Sequence, residues 1–411
     1  MSANLHQKEH KNVKEKLSLA GKKAFRAFAV SFLSFLARVK FRASGHIEGG
    51  EIDEKAIVFC NHSTIWDFSF LLNTLKPRRV RFVATSIEFE KGRLYAWVLR
   101  TLGVIPKTQG AADAACVRSV MRACQSGEIV AIYPAGMTSH DGRPAWRVQP
   151  GTGKLARMTG ASVYVALENG AFMSHPRYAF QTLRGRVEVS VRRLATAEEA
   201  KAMTAEELQT KIEQALYYND WDWQAIHRVP YTPRSSVKGV TKTLYMCPDC
   251  KTIGGMEETN GGVRCRICQM SAARDEFGFF HAAQGFCPSR MDEWVDLELK
   301  RLKEEVSKPD FFLCAPVTLL RPTGKGVGYA AADEGELTLN ADCLIFKGKI
   351  QNFSWTFQDF QYFVMNDVNF LHIYAVNGAF RFVFADPRLI TRWFFAHRML
   401  AGGEPIPQAA V

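Results

Sequence analysis

The sequence VFCNHSTIWD at residues 58–67 decides the fold, because an apolar run stops there at a histidine and an aspartate follows. Residues 56–60 are rich in strand-forming side chains, and residues 65–75 carry apolar side chains near helical spacing. The pattern predicts a strand, a loop and a helix. His62 then follows the carboxyl end of a strand, which is the edge where open α/β sheets bind ligands.

Asp67 lies five residues after His62 and three residues after Thr64. This spacing makes Thr64 a candidate N-cap and places the carboxylate in the first helical turn, where the helix dipole favours its charge. Asp67 could then hold one imidazole nitrogen while the other takes a proton from a hydroxyl. The alternative is that Asp67 only caps the helix and that His62 is an ordinary turn residue.

Apolar runs alternate with helical patterns over the following 150 residues. Strands are predicted at 80–85, 129–133, 161–167 and 187–191, and helices at 95–102, 112–126, 154–159 and 204–215. This alternation predicts an α/β fold with a mixed, largely parallel sheet flanked by helices. The strand ends bring His62, residues 103–107 and residues 133–139 to one edge of that sheet.

Two blocks follow the first motif, GVIPK at residues 103–107 and YPAGMTS at residues 133–139. In this order the motifs resemble the lysophospholipid and 1-acylglycerol-3-phosphate acyltransferase family over roughly residues 45–190. The resemblance implies a glycerolphosphate acyltransferase-like fold and transfer of an acyl chain from acyl-CoA or acyl-ACP to a hydroxyl of a lysolipid. It also implies that His62 is the general base and Asp67 its partner.

The chain departs from the family where the acceptor's phosphate is bound. The family usually has Glu-Gly-Thr-Arg-Ser where this chain has AGMTS at residues 135–139, and Gln109 replaces an arginine of the second block. A lipid-binding scaffold without turnover is therefore the alternative function. The residues expected to bind the acceptor are Lys107, Gly136, Thr138, Ser139, Arg143 and Lys154, with ordinary solvated surface cations as the alternative for the charged ones.

The positive charge of the chain is concentrated at its amino terminus. The whole chain of 411 residues carries +12, and residues 1–40 hold +7 of it, from seven lysines and two arginines against two glutamates. The apolar stretch at residues 27–37 is too short to span a bilayer. Residues 1–44 therefore predict a basic amphipathic helix that binds anionic lipids peripherally, at the cytoplasmic face of a membrane. A helix packed on the protein's own core is the alternative.

Four cysteines form two Cys-x-x-Cys pairs separated by 14 residues: Cys247, Cys250, Cys265 and Cys268. Four thiolates at this spacing predict a structural, tetrahedral zinc site, with free thiols or a redox pair as the alternative. No nucleic-acid partner is expected, because the cations cluster at the amino terminus and not around these cysteines. Chelation is expected to unfold residues 245–270 first and to leave a measurable acyl transfer rate.

The composition changes along the chain predict several domains. An acyltransferase domain at residues 45–232 precedes a zinc ribbon at 240–283 and a linker helix at 284–310. Short strand-like runs and a final helix then form a β-rich domain at 315–403. That pattern resembles a pleckstrin-homology-like barrel, and an unrelated small β module is the alternative.

Overall fold

A seven-stranded sheet carries the 58–67 segment in the structure, a computed structural model that describes residues 2–108, 113–145, 147–179, 181–233, 237–323, 328–366 and 370–403. Its strands are β1 (Ala43–Ile47), β2 (Ala56–Cys60), β3 (Val80–Thr85), β4 (Ile105–Lys107), β5 (Ile129–Ile132), β6 (Ser162–Asn169) and β7 (Val187–Ala195). Their order is β1-β7-β6-β2-β5-β3-β4. Strands β2 to β6 run parallel, and β1 and β7 run the other way. The predicted mixed, largely parallel sheet is confirmed.

Helices cover both faces of this sheet. They are α1 (Ser2–Phe41), α2 (Asp67–Thr74), α3 (Arg93–Leu102), α4 (Ala114–Gln125), α5 (Thr152–Thr159), α6 (Ala171–Ser174), α7 (Ala197–Ala202), α8 (Ala205–Ala215) and α9 (Asp220–His227). Strand β2 is apolar throughout because its side chains alternate between two cores. Val58 and Cys60 face the core under α1 and α2, whereas Ile57 and Phe59 face the core under α4, α5 and α8.

Helix α1 has two faces of different environment. One face packs on the sheet and α2 through Val30, Leu33, Ala37 and Phe41. The opposite face exposes Phe28, Phe32, Phe35 and Val39 by 68, 50, 52 and 50%. The helix is therefore packed on the protein's own core, which was the alternative for this segment, and it also presents an apolar stripe. Its binding to lipids stays a prediction.

A four-stranded antiparallel sheet follows the α/β part. Its strands are β8 (Met256–Thr259), β9 (Gly262–Cys265), β10 (Ser271–Arg274) and β11 (Phe280–Gln284), in the order β11-β10-β9-β8. Helix α10 (Met291–Val306) comes next and contacts the final helix of the chain.

The carboxyl-terminal part is β-rich, as predicted. Its strands are β12 (Phe312–Pro322), β13 (Tyr329–Asn340), β14 (Cys343–Gly348), β15 (Asn352–Thr356), β16 (Phe360–Asn366), β17 (Phe370–Ala375) and β18 (Gly378–Phe384), and helix α11 (Ile390–Leu400) follows them. All neighbouring strands are antiparallel, in the order β15-β14-β13-β12-β18-β17-β16.

One hydrophobic core runs through these later parts of the chain. It joins Trp221 of α9, Phe279 before β11, Trp294 of α10 and Phe395 of α11. The rings of Trp221 and Phe279 lie 5.8 Å apart, and Gln224 donates a hydrogen bond to the Phe277 carbonyl at 2.7 Å. Because the buried side chains are shared, the cysteine-rich sheet stabilises the α/β part as well as itself.

Candidate active site

The loop between β2 and α2 is built around the Asp67 carboxylate. Oδ2 of Asp67 lies 2.7 Å from Nδ1 of His62 and accepts the Ser63 backbone N–H at 2.7 Å. Oδ1 accepts the Thr64 backbone N–H at 3.0 Å. Asp67 is 1% exposed, so these donors replace the water that a carboxylate requires. The arrangement fixes the positions of the carboxylate and the imidazole ring.

The predicted N-cap at Thr64 is wrong. Helix α2 begins at Asp67 after Trp66, and no side chain caps its first turn. The hydroxyl of Thr64 has no hydrogen-bond partner in the described part of the chain. The physical reason is that the Asp67 side chain reaches back to the backbone N–H groups of Ser63 and Thr64, which closes the loop without the threonine.

His62 is placed to exchange a proton with a substrate. Its side chain is 24% exposed, and its ring packs on Tyr133 at 4.6 Å between centroids. With Nδ1 bound to Asp67, Nε2 has no partner among the residues that the structure describes. A neutral imidazole held in this tautomer can accept a proton at Nε2, which is the requirement for a general base.

The third block lies beside His62 and is tightly folded. The Ser139 backbone N–H donates to the His62 carbonyl at 2.8 Å. Its hydroxyl donates to the Arg143 carbonyl at 2.6 Å and accepts the Gly142 N–H at 2.8 Å. Ser139 is buried, whereas Gly136 and Thr138 are partly exposed, and Gly136 has a φ of +69° that favours glycine. Ser139 therefore shapes this loop through its own hydrogen bonds.

Arg143, predicted to bind the acceptor, is held by carboxylates of the protein. Its guanidinium lies 2.6 Å from Asp141 and 2.8 Å from Asp296 of α10, and the side chain is 13% exposed. Together these two carboxylates raise the pKa of Arg143 despite its burial. The cation is thus used to tie the loop to α10.

The two predicted lysines lie on other elements. Lys107 ends β4, three strands from β2, which corresponds to about 14 Å across the sheet. Its Nζ donates to the Thr108 carbonyl at 3.2 Å. Lys154 is exposed in the first turns of α5. Gln109 of the second block lies outside the described residues.

Arg143→Ala and Lys154→Ala distinguish a cation that holds the loop from one that binds the acceptor. We expect Arg143→Ala to lose about 3 kcal/mol of stability, because Asp141 stays buried without its counter-ion. Its rates should fall equally with phosphate-bearing and neutral acceptors. Lys154→Ala should leave the melting temperature unchanged. Melting curves and KM values measure both effects. An Arg143→Ala protein that melts normally but has a raised KM only for phosphate-bearing acceptors would contradict this expectation.

Helix α11, more than 250 residues further along the chain, also holds this loop. Arg398 donates to the Ala145 carbonyl at 2.9 Å. The ring of His140 packs between Phe394 and Phe395, each at 5.4 Å. Burial lowers the pKa of His140 well below its usual value, so the ring is neutral. No pattern in the sequence links these residues, because their contact depends on how the last helix docks.

Two buried carboxyl groups beside the site also went unnoticed in the sequence. Asp220 accepts the backbone N–H groups of Gly170 and Phe172, both at 3.0 Å, and burial raises its pKa to about 7. Glu168 near the end of β6 is fully buried. An acidic residue at the end of an apolar strand run was the available signal for Glu168.

The four cysteines of the two Cys-x-x-Cys pairs meet in one cluster. Their sulfur atoms all lie within 4.8 Å of one another, with Cys247 to Cys268 and Cys250 to Cys265 at 3.7 Å. Tetrahedral zinc with Zn–S bonds of about 2.3 Å requires sulfur atoms about 3.8 Å apart. The donor set and its spacing therefore fit zinc, and four protein ligands would complete its coordination.

Comparison with known proteins identifies the class of the α/β part. Residues 38–166 match the family model described as Acyltransferase, and this range contains His62, Asp67 and the third block. The segment is an acyltransferase domain, and the prediction that the chain is an acyltransferase is confirmed.

The other comparisons add less. No curated protein matches the chain. A solved structure similar to it is that of the 1-acyl-sn-glycerophosphate (LPA) acyltransferase PlsC from Thermotoga maritima, with 17% identity and a TM-score of 0.39. The match covers 50% of this chain and 82% of that one. At this level the similarity carries no argument about the site.

Proposed function

We propose that the protein transfers a fatty acyl chain from acyl-CoA or acyl-ACP to a hydroxyl of a lysophospholipid or related lipid. The observation that carries the proposal is the 2.7 Å contact between His62 and Asp67, at a strand end inside the segment that matches the acyltransferase model. A histidine fixed by a buried carboxylate is suited to remove the proton of an alcohol.

The reaction needs two proton transfers, to and from His62, and the exchange of a C–S bond for a C–O bond. Nε2 of His62 takes the hydroxyl proton while the oxygen attacks the thioester carbonyl. The ester C–O bond forms, the C–S bond breaks, and the proton passes from the imidazolium to the leaving thiolate. Asp67 stabilises the imidazolium between these steps, because its charge lies 2.7 Å from Nδ1.

An assay with a panel of acceptors tests this function. Labelled acyl-CoA and acyl-ACP are offered with lysolipids that differ in headgroup, and His62→Ala is the blank. We expect one donor and acceptor pair to give product with the wild type alone. Acyl transfer by His62→Ala at the wild-type rate would contradict the assignment of the base. Lipid binding without any turnover across the panel would favour the scaffold alternative.

We also propose that the protein binds anionic membranes through the exposed face of α1. That face aligns Phe28, Phe32 and Phe35, and exposed Lys22 and Lys23 lie one to two turns before it. Aromatic rings enter the acyl boundary while lysines meet anionic headgroups. None of the helices in the described ranges is long and apolar enough to cross a bilayer.

Replacing the three phenylalanines tests this surface. The triple variant Phe28→Ser, Phe32→Ser, Phe35→Ser should bind vesicles of phosphatidylserine and phosphatidylcholine at least about tenfold more weakly. The reason is that the variant lacks the three rings that would be buried in the membrane. A matched control is the double variant Ile226→Ser, Ile350→Ser, since both side chains are 78% exposed elsewhere. Co-sedimentation measures binding. Equal binding by the triple variant and the wild type would refute the proposal.

Two further assignments concern the rest of the chain. The cysteine cluster fits structural zinc, which would be held by Cys247, Cys250, Cys265 and Cys268 and would fix the two loops of that sheet. The strand order of β12 to β18 and the closing helix α11 support a pleckstrin-homology-like fold for the β-rich part.

A further inference from the structure

Glu168 is a buried carboxyl group for which the proposed reaction has no use. Glu168 lies near the end of β6. Its backbone N–H donates at 2.8 Å to Oδ1 of Asn61, the residue that precedes His62 in the chain. The side chain is fully buried. Neither carboxyl oxygen has a hydrogen-bond donor within the described ranges. The side chain of Glu168 does reach the carboxylate of Asp67.

The available donors determine which carboxyl group keeps a proton. Asp67 receives two backbone N–H groups and faces the His62 ring, and Asp220 receives two backbone N–H groups. Glu168 receives none, so it has nothing to stabilise a negative charge. Burial raises the pKa of Glu168 well above its usual value, and the neighbouring Asp67 charge raises it further. Glu168 is therefore a neutral carboxylic acid.

We propose that Glu168 is a positioning residue that donates its hydroxyl proton in a hydrogen bond to the Asp67 carboxylate. Two carboxyl groups in contact share one proton, and the group with more donors carries the charge. Oδ1 of Asp67 can accept this bond because it receives only the Thr64 N–H besides. The inference rests on the proposed role of His62 and Asp67.

The bond has two consequences for the base. It holds Asp67 from the side of β6, in addition to the backbone donors of its own loop. It also withdraws charge from the carboxylate, which weakens its stabilisation of a protonated His62. The base then stays neutral, and therefore active, at lower pH than it would beside an unshared carboxylate.

Other titratable groups face the same buried space. Cys60 on β2 and Tyr133 after β5 both have a pKa raised well above the usual value by burial, with Glu168 and Asp67 nearby. Tyr218 before α9 behaves likewise beside Asp220 and Asp67. These groups are neutral at working pH. The acid limb of the rate profile therefore reports on His62, on Asp67 and Glu168, and on Asp220, whose pKa burial raises to about 7.

Glu168→Gln and Glu168→Leu separate donation from burial. Glutamine keeps an N–H donor at this position, whereas leucine keeps bulk and removes the donor. We expect Glu168→Gln to retain kcat/KM within about threefold and the same acid limb. Glu168→Leu should lose about tenfold or more, and its acid limb should move up by about half a pH unit or more, because the unshared Asp67 charge favours the imidazolium. Circular dichroism checks that both variants fold.

The sign of the shift decides the outcome. If Glu168 is ionised, its replacement by glutamine removes a negative charge and moves the acid limb down, which overturns the proposal. An unmoved limb in a folded Glu168→Leu protein overturns it as well. Should Glu168→Leu not fold, a downward shift or a loss beyond tenfold in Glu168→Gln still refutes donation. An inactive His62→Ala protein in the same experiment leaves the proposed function in place. An active His62→Ala protein refutes that function, on which the role of Glu168 rests.

Discussion

Asp67→Asn is expected to lower kcat/KM for acyl transfer by about 10²- to 10⁴-fold while the protein stays folded. The amide oxygen at the Oδ1 position can still accept the Thr64 backbone N–H. The amide N–H₂, however, would then face Nδ1 of His62 as a donor. The imidazole would have to place its proton on Nε2, and that nitrogen could no longer accept the proton of the substrate.

The comparison needs a carboxylate changed in the same way away from the site. Asp53→Asn serves, because Asp53 is a part-exposed residue that pairs loosely with Arg193 at 3.4 Å. It should transfer acyl chains at the wild-type rate. Steady-state kinetics with the best acceptor of the panel measures all three proteins. An Asp67→Asn protein within tenfold of the wild type would show that Asp67 only closes the loop.

Loss of the cysteine cluster is expected to cost both stability and activity. Structural zinc supplies on the order of 10 kcal/mol in small zinc peptides, which is as large as the stability of many whole proteins. Cys265→Ser removes a buried thiol of the cluster and should abolish the proposed binding of one zinc per chain. The sequence alone led to the expectation that the acyltransferase part would keep a measurable rate. The structure predicts that the rate falls together with the stability, since Trp221 and Phe279 share a core and Arg143 and Ala145, just after the third block, are tied to α10 and α11.

Elemental analysis, melting curves and acyl transfer rates together test this prediction. Cys314→Ser is the matched control, because Cys314 is exposed and lies outside the cluster. Chelation or Cys265→Ser should lower the melting temperature and the rate in parallel. If chelation stops turnover at once while the melting curve stays unchanged, the metal takes part in the chemistry and its structural role is wrong.

Local physics made several elements predictable. The segments that became β2 and β3 have the predicted bounds, and the five apolar side chains of β2 are all buried, as in a central strand of a parallel sheet. The capping box of Thr204 and Glu207 forms as its spacing requires. The two Cys-x-x-Cys pairs, which lie only 14 residues apart, bring four sulfur atoms together. Each of these features depends on residues that are close in the sequence.

The strand-like runs predicted for the β-rich domain begin only at residue 336, so they omit β12, which contains Pro316. A proline lacks the N–H that a central strand would donate, which argues against a strand. The structure accommodates it because β18 pairs with β12 only from Val317 onward, so that the missing donor falls where the pairing ends. The strand that pairs beside a proline depends on the topology of the sheet, and the residues next to the proline do not determine that topology.

For the site, the sequence by itself determined the pair that does the proposed chemistry. His62 and Asp67 are five residues apart, and a strand that ends in a short loop leaves few ways to arrange them. The tertiary structure alone decided what surrounds this pair. It assigned Arg143 to Asp296, 153 residues away, and it placed Glu168 behind Asp67 without a donor. The physical reason is that charge and hydrogen bonding depend on distance in space, and only the packing of β6, α10 and α11 fixes those distances.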